Sequence, residues 1–439
     1  MNSRNIAVKT LDRIINEGAY SNIILSNELN KSDLSDVDKA LVTEIVYGTL
    51  RRLKTIDMII KSFVRDISEM EKTTLNILRV SVYQMKFLDK VPSYAACNEA
   101  VEMAKEVSEQ DGKLVNGILR NFVSKEGNYD IQFRNKIDQI AYDLSFEPWM
   151  IRMFIKQYGE KETLEILKGL NNVPSVTVRV NDLKADYEET FETLENNGYE
   201  VDEGSICPEA ITIIGGKGVD KNELFAEGKI TVQDESAMLV APLLDIEEGQ
   251  TVIDICAAPG GKTTHIAELL NNTGKVLAFD LHENKLDLVK ENCNRLGITN
   301  VELCQMDATK INSKYINIAD RILVDVPCSG LGIIRKKPEI KWNKKRKDLK
   351  ELVPIQREIM NNAWEYLKIG GVMVYSTCTL NKEENEENVK WFLENHKDAE
   401  IVTFFVGKGR NLKYDREGSL TIFPDSEMDG FFVTKFIKK

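Results

Sequence analysis

The sequence predicts a multidomain protein: an all-α bundle, then a small α+β module, then an α/β domain with a parallel sheet. Three changes of pattern along the 439 residues support this division. Apolar residues recur at helical spacing in 1–140, helices mix with alternating strands in 141–245, and strands and helices alternate regularly in 246–439. A chain of this length accommodates two or three domains.

The N-terminal part predicts a compact helical bundle. Its apolar repeat is clearest in two groups: Leu41, Ile45, Val46 and Leu50, and then Leu75, Leu78, Val82 and Met85. Pro92 interrupts the pattern, and Ser93 after it is suited to cap a new helix. The module that follows predicts a strand over 175–181, a helix over 187–196 and strands over 210–214 and 230–233.

The C-terminal part predicts five strands, over 252–255, 275–280, 301–306, 322–325 and 371–376, and helices over 263–270, 284–296 and 352–367. Such alternation favours a parallel sheet with helices on both faces. The carboxyl ends of parallel strands form the ligand crevice of these folds. We therefore expect the functional residues where the strands end.

Composition narrows the classes of protein and of site. No apolar run approaches the ~20 residues of a membrane helix. Seven scattered cysteines favour free thiols in a reducing cytoplasm over a disulfide framework. Three histidines and no paired C-x-x-C motif argue against a metal site. The absence of a coiled-coil pattern makes a monomer the expected state.

The net charge of −12 disfavours nucleic-acid binding on bulk charge alone. The distribution of charge points the other way. Eight basic residues and one acidic residue lie in 335–347, which begins seven positions after Cys328 and includes Trp342. This basic run is either a solvated lysine-rich loop or a contact for an RNA backbone, and its place beside the candidate site favours the RNA contact.

A glycine-rich loop joins the first strand of the α/β domain to its helix: Cys256, Ala257, Ala258, Pro259, Gly260, Gly261 and Lys262. Glycines allow close approach of a ligand, and the helix offers free N–H groups. The loop has neither phosphate-loop nor G-x-G-x-x-G spacing. It is therefore either a cofactor loop or a simple strand-to-helix turn.

Acidic residues follow the next two strands. Asp280 lies about 20 positions after the loop, where a carboxylate accepts both ribose hydroxyls of an adenosine cofactor. Asp307 follows the third strand and is suited to the adenine amino group. Each aspartate alone could instead cap a helix. Their regular placement favours S-adenosyl-L-methionine over a triphosphate.

Two cysteines end the fourth and fifth strands. Cys328 lies in Asp-Val-Pro-Cys-Ser-Gly and Cys378 in Tyr-Ser-Thr-Cys-Thr. A cysteine at such a position is either a small buried apolar residue or a nucleophile. The polar sequence around both favours a functional role, and two thiols with Asp325 near a cofactor loop suggest covalent chemistry on an electrophilic ring.

Residues 254–265 (DICAAPGGKTTH), 325–332 (DVPCSGLG) and 375–379 (YSTCT) together resemble the RNA cytosine-C5 methyltransferase family, also called NOL1/NOP2/Sun. Residues 1–140, with NGILRN at 116–121, resemble a NusB-type RNA-binding domain. Residues 175–183 and 233–237 resemble the family's linking module. The resemblance implies a NusB-like bundle, a linking module and a Rossmann-like class I methyltransferase domain that uses S-adenosyl-L-methionine and no metal.

The resemblance also implies a role for each site residue. Cys378 would add to C6 of a cytosine in 16S rRNA, free or partly assembled. Asp325 would bind N3 and the exocyclic amine and assist addition as a proton donor. Cys328 would assist removal of the C5 proton and release of the product. The loop from Cys256 to Lys262, with Asp280, Asp307 and Asp325, would line the cofactor site, and Lys262 would contact the substrate or Asp325.

Two departures and two alternatives remain. Val326 replaces the family's usual alanine, and Met428 stands where related sequences vary, before an Asp-Gly-Phe-Phe core that is kept. We expect Phe431 and Phe432 of this core to be strand residues at the sheet edge rather than residues that stack on a base. A DNA cytosine-C5 methyltransferase would use Cys328 as the nucleophile and leave Cys378 without a role. A non-enzymatic RNA-binding factor built on the N-terminal bundle would leave the C-terminal half unexplained.

Overall fold

The computed structural model describes residues 2–439, which divide into two units. The N-terminal unit comprises residues 2–171 together with 334–344. The C-terminal unit comprises residues 172–333 and 345–439. None of the helices in the described part of the chain is long and apolar enough to cross a membrane.

The N-terminal unit is the predicted helical bundle. Its helices are α1 (Ser3–Glu17), α2 (Ser21–Asn30), α3 (Asp36–Lys61), α4 (Lys72–Phe87), α5 (Ser93–Val107), α6 (Glu109–Ser124), α7 (Lys136–Leu144) and α8 (Pro148–Gly169). Leu50, Leu78 and Ile118 belong to one apolar core. Gly48 on α3 allows close packing on α4, because a Cβ there would lie 1.9 Å from the Tyr83 hydroxyl oxygen.

The segment 334–344, which includes the short helix α14 (Ile340–Asn343), folds as part of this unit. Lys341 is fully buried, and its Nζ donates to the carbonyl oxygens of Arg51 and Ser145, both at 3.1 Å. Trp342 donates from its indole nitrogen to the Leu50 carbonyl oxygen at 2.8 Å. Lys341 and the equally buried Arg335 are therefore not available to an RNA backbone, and the prediction for the basic run fails at these two positions.

The C-terminal unit begins with a small four-stranded antiparallel sheet in the order β2-β3-β1-β4. Its elements are β1 (Val176–Val180), α9 (Tyr187–Asn196), β2 (Glu200–Glu203), β3 (Ala210–Gly215), α10 (Glu223–Ala226), β4 (Ile230–Val232) and α11 (Glu235–Met238). The alternating pattern thus identified β1, β3 and β4, whereas the charged sequence of β2 gave no strand signal.

The rest of the unit is a nine-stranded mixed sheet. Its strands are β5 (Thr251–Asp254), β6 (Lys275–Asp280), β7 (Val301–Gln305), β8 (Ala319–Asp325), β9 (Leu367–Thr377), β10 (Ala399–Ile401), β11 (Leu412–Tyr414), β12 (Leu420–Ile422) and β13 (Phe431–Lys438). Its other helices are α12 (Gly261–Leu269), α13 (Glu283–Leu296), α15 (Arg346–Tyr366) and α16 (Glu386–Asn395).

The strand order is β11-β12-β13-β9-β8-β5-β6-β7, with β10 paired to β13. Strands β5 to β9 are parallel, and β13 runs antiparallel to β9. The five predicted strands are therefore parallel, as expected, and the antiparallel strands that follow β9 were not part of the prediction. Phe431 and Phe432 lie on β13 as expected but not at the edge, because β12 pairs with its other side. The order reverses at β5, and such a switch point marks the ligand crevice.

Candidate active site

The glycine-rich loop connects β5 to α12 at the switch point. Its backbone is tied to β6, because the Ala257 N–H donates to the Phe279 carbonyl oxygen at 2.7 Å. Gly260 has a φ of 105°, and a Cβ there would lie 3.1 Å from Val289 on α13. Glycine is therefore required at this position, both for its conformation and for the close approach of α13.

Three acidic groups at or just after the strand ends differ in their surroundings: Asp280 and Asp307, which were predicted to bind the cofactor, and Asp254, which was not. Asp254 ends β5 and is buried, with Oδ2 accepting from Thr263 Oγ1 at 2.7 Å and Oδ1 without a hydrogen-bond partner. Asp280 ends β6 and accepts from the His282 N–H at 3.0 Å. Asp307 accepts from both the backbone and the hydroxyl of Thr309 and pairs with Lys310 at 3.1 Å, which is a local turn.

An ion pair lies beside this loop. Lys262 Nζ is 2.7 Å from Asp325 Oδ2, and Ser376 Oγ donates to Asp325 Oδ1 at 2.7 Å. Burial opposes the ammonium form of Lys262, but Asp325 and the charge on Cys378 outweigh it and raise the Lys262 pKa above its ordinary value. Lys262 Nζ also lies 5.4 Å from the centre of the Phe431 ring. The site therefore carries a fixed ammonium group.

The two cysteines meet next to this ion pair. Cys328 Sγ and Cys378 Sγ are 3.3 Å apart, although 50 residues separate them in the sequence. As whole residues, Cys328 and Cys378 are both partly exposed. The hydrogen bond to Cys378, followed by burial and by the charges of Cys378, Glu384 and Asp325, raises the pKa of Cys328 well above its ordinary value. Cys328 is therefore a thiol in the free protein.

Two glycines allow the segments that carry Cys328 and Cys378 to approach each other. The sequence motifs did not assign a role to either glycine. The Gly332 N–H donates to the Cys378 carbonyl oxygen, and the Gly430 N–H donates to the Gly332 carbonyl oxygen, both at 2.9 Å. A Cβ on Gly332 would lie 1.9 Å from the Gly430 oxygen. Three chain segments thus cross where no side chain fits.

Two buried charged residues near the site also escaped the sequence analysis. Arg179 on β1 is fully buried and donates to the Gly261 carbonyl oxygen at 3.0 Å and to Glu268 Oε1 at 2.7 Å. It thereby holds both the first and a later turn of α12. Glu384, described below, connects the two cysteine segments. A lone arginine among the valines of a strand was the one available signal for Arg179.

Comparison with known proteins agrees with this architecture. Residues 241–437 match the family described as 16S rRNA methyltransferase RsmB/F. Residues 1–124 match the NusB family, and residues 146–220 match the ferredoxin-like domain of RsmF/B-like methyltransferases.

Relatives match over the full length. The chain is 38% identical to the probable ribosomal RNA small subunit methyltransferase B of Bacillus subtilis strain 168, with 99% of this chain and 98% of the relative covered. It is 33% identical to ribosomal RNA small subunit methyltransferase B of Klebsiella pneumoniae strain 342, over 100% and 99%.

Solved structures give the same result. The crystal structure of PH0851 superposes with a TM-score of 0.86 at 28% identity, covering 100% of this chain and 99% of that one. NSun6 from Pyrococcus horikoshii with SFG gives a TM-score of 0.62 at 26% identity, over 68% and 99%. The predicted family, the NusB-like bundle and the Rossmann-like methyltransferase domain are confirmed, and the chain belongs to the RsmB/F family of 16S rRNA methyltransferases.

Proposed function

We propose that this protein transfers a methyl group from S-adenosyl-L-methionine to C5 of one cytosine in 16S rRNA, through a covalent bond between Cys378 Sγ and C6. The observation that carries the proposal is the 3.3 Å separation of the two sulfur atoms beside the Lys262–Asp325 ion pair. A cytosine presents C5 and C6 as neighbouring atoms, so two thiols in contact can serve both. The base must leave any stack to reach them.

The residues around β5 fit the cofactor. Asp254 Oδ1, at the end of β5, is a buried oxygen without a hydrogen-bond partner. The residues 256–262 would line the cofactor, and Asp280 would accept its ribose hydroxyls. Both Asp307 oxygens have local partners, so binding the adenine amino group would require Lys310 to leave Oδ2. When bound, S-adenosyl-L-methionine supplies the methyl group.

Addition begins with a thiolate at Cys378. The Lys262 ammonium stabilises a negative charge there, and the Cys328 S–H can donate to it. The thiolate adds to C6, and C5 becomes nucleophilic enough to accept a methyl group. Asp325 would hold the base through N3 and its exocyclic amine, and the Lys262–Asp325 pair would keep a proton beside N3.

Release requires a base near C5. Once Cys378 is bonded to C6 it is a neutral thioether, so the hydrogen bond that contributes most to the raised pKa of Cys328 is lost. Cys328 can then lose its proton to solvent, and the resulting thiolate takes the C5 proton. The C–H electron pair forms the C5–C6 double bond, and Cys378 leaves as a thiolate. We therefore assign release to Cys328.

The local charges also argue against Cys328 as the nucleophile, the role that it would have in a DNA cytosine-C5 methyltransferase. The carboxylates of Glu384 and Asp325 both raise the pKa of Cys328. A nucleophilic thiolate requires the opposite environment, which the Lys262 ammonium offers to Cys378. We therefore keep Cys378 as the nucleophile.

We further propose that 16S rRNA, free or partly assembled, is the partner, that the enzyme acts in the cytoplasm as a monomer, and that it needs no metal. The three-domain division at residues 140 and 245 also stays a proposal. The basic run retains an RNA role only through its outer residues, since Lys345, Arg346 and Lys347 are exposed.

The test is denaturing gel electrophoresis of Cys328→Ala and Cys378→Ala after incubation with unmethylated 16S rRNA and S-adenosyl-L-methionine. We expect a protein–RNA adduct that survives denaturation in Cys328→Ala and is absent in Cys378→Ala. The reverse pattern would assign the nucleophile to Cys328, and no adduct in either variant would contradict covalent catalysis.

A further inference from the structure

Glu384 is a fully buried carboxylate in the turn between β9 and α16. Its Oε2 accepts from the Ser329 N–H and from Gln356 Nε2, both at 2.9 Å, and its Oε1 accepts from Asn381 Nδ2 at 3.0 Å. Burying a carboxylate is costly unless its oxygens receive hydrogen bonds of this kind. Nothing in the proposed chemistry uses Glu384 directly.

These hydrogen bonds connect the two cysteine segments. Ser329 directly follows Cys328, and Asn381 lies three positions after Cys378. Gln356 on α15 also donates to the Pro327 carbonyl oxygen at 3.0 Å, so the backbone is held on both sides of Cys328.

A residue of α16 orients the side chain of Gln356 and the backbone of Glu384. Asn388 Nδ2 donates to Gln356 Oε1 at 2.9 Å and to the Glu384 carbonyl oxygen at 3.1 Å, which fixes the direction of the Gln356 amide. The Tyr375 hydroxyl donates to the same Glu384 carbonyl oxygen at 2.6 Å. The side chains of Glu384, Gln356 and Asn388 therefore form one rigid support behind Cys328.

The support is asymmetric between the two cysteines. The backbone next to Cys328 has no place in a strand, because β8 ends at Asp325, and it depends on Glu384 and Gln356. Cys378 directly follows β9, which pairs with β8 and β13 almost to its end. Loss of the Glu384 charge should therefore displace Cys328 more than Cys378.

We propose that Glu384 is a positioning residue for product release: it holds Cys328 where it can take the C5 proton, and it does not take part in the addition of Cys378. This inference rests on the proposed function. The step it serves transfers the C5 proton to the Cys328 thiolate, forms the C5–C6 double bond from the C–H electron pair and expels the Cys378 thiolate. No oxidant or further reactant is needed.

The test compares Glu384→Gln with Cys328→Ala and with Glu387→Gln in the full-length protein. Glutamine keeps the shape but turns an NH₂ group toward donors that need an acceptor. Glu387 is exposed and three positions away, so it controls for the loss of one carboxylate. The measurements are cofactor affinity, the rate of adduct formation on unmethylated 16S rRNA and the rate at which the adduct disappears.

We expect Glu384→Gln to bind the cofactor and form the adduct at rates close to those of the unmodified protein, but to release product at least about tenfold more slowly, as the loss of a hydrogen bond to a charged group suggests. Denaturation-resistant adduct should accumulate, as in Cys328→Ala. The pH profile of release should also move to lower pH, because the Glu384 charge contributes to the raised pKa of Cys328.

A purely structural role would slow adduct formation and release together and would leave no accumulated adduct, which would overturn the inference. If Glu384→Gln does not fold, Gln356→Met removes the donor to the Pro327 carbonyl oxygen and one of the two donors to Glu384 Oε2, and it should give the same accumulation. If Cys328→Ala accumulates adduct and neither Glu384→Gln nor Gln356→Met does, the role of Glu384 is refuted and the proposed function stands. If Cys328→Ala shows none, the proposed function itself fails.

Discussion

Asp254 offers a quantitative test of the electrostatics under the cofactor loop. Burial, partly offset by the hydrogen bond from Thr263 and reinforced by the charge of Asp325, raises its pKa from 3.8 to about 7. The folded state therefore favours the protonated acid, whereas the unfolded chain ionises near pH 4. The free energy of unfolding must fall as the pH rises from about 4 to about 7 and must level off above that range.

The size of the effect follows from the two pKa values. Between pH 5 and pH 8 the linkage relation gives a loss of roughly 2–3 kcal/mol from this group alone. In Asp254→Asn the side chain cannot ionise, so the free energy of unfolding should not fall for this reason. Relative to the unmodified protein, the variant should therefore become more stable by roughly 2–3 kcal/mol as the pH is raised across this interval.

Urea unfolding, followed by hydrogen exchange of the peptide that contains β5, measures this difference in the intact chain. Comparing variants at the same pH removes the intrinsic pH dependence of exchange. Asp287→Asn, at an exposed position of α13, is the matched control and should follow the unmodified protein. Parallel pH curves for Asp254→Asn and the unmodified protein would refute the reasoning, because they would mean that Asp254 ionises normally in the folded state.

Three further outcomes are expected. Asp325→Asn should keep the fold and cofactor binding but lower turnover about a hundredfold or more, because the ion pair with Lys262 is lost. Unchanged turnover on unmodified rRNA would show that Asp325 has no part in the mechanism. Gly332→Ala should abolish adduct formation, whereas Gly117→Ala, where nothing lies within 4 Å, should be neutral or slightly stabilising in thermal unfolding. Charge reversal at Lys344, Lys345 and Arg346 should weaken RNA binding and reduce its salt dependence, and an unaltered salt slope would demote the exposed part of the basic run to a solvated loop.

The sequence predicted the elements that have strong local signals. The strands β5, β6 and β8 end within one residue of their predicted ends, because apolar runs bounded by glycine or aspartate are unambiguous. The antiparallel strands β10, β11 and β12 were missed. Each has only three residues, too few to show a periodicity. Their stability depends on pairing with other strands, β10 and β12 with β13 and β11 with β12, which leaves no local signal.

The basic run shows why charge alone was a poor guide to exposure. Lys341 lies fully buried, and burial, together with the charges of Arg52 and Arg51, lowers its pKa well below the ordinary value. Its ammonium is held over the Phe146 ring, 3.9 Å from the ring centre, and by the backbone carbonyls that it reaches. Those partners come from residues about 200 to 290 positions away, so no local pattern could reveal them.

The same limit applies to the chemistry of the two thiols. Both lie in short polar segments after a strand, so the local pattern predicted a functional role for each and did not distinguish between them. Their difference arises only in three dimensions: the Lys262 ammonium acts on Cys378, whereas the carboxylates of Glu384 and Asp325 act on Cys328. In the mechanism that we propose, a positive neighbour favours the thiolate that attacks C6, and negative neighbours keep the other cysteine a thiol until release. On this proposal the charges beside each cysteine divide the two steps between two chemically identical side chains, and the hydrogen bond from the Ser329 N–H to Glu384 also holds the backbone next to Cys328.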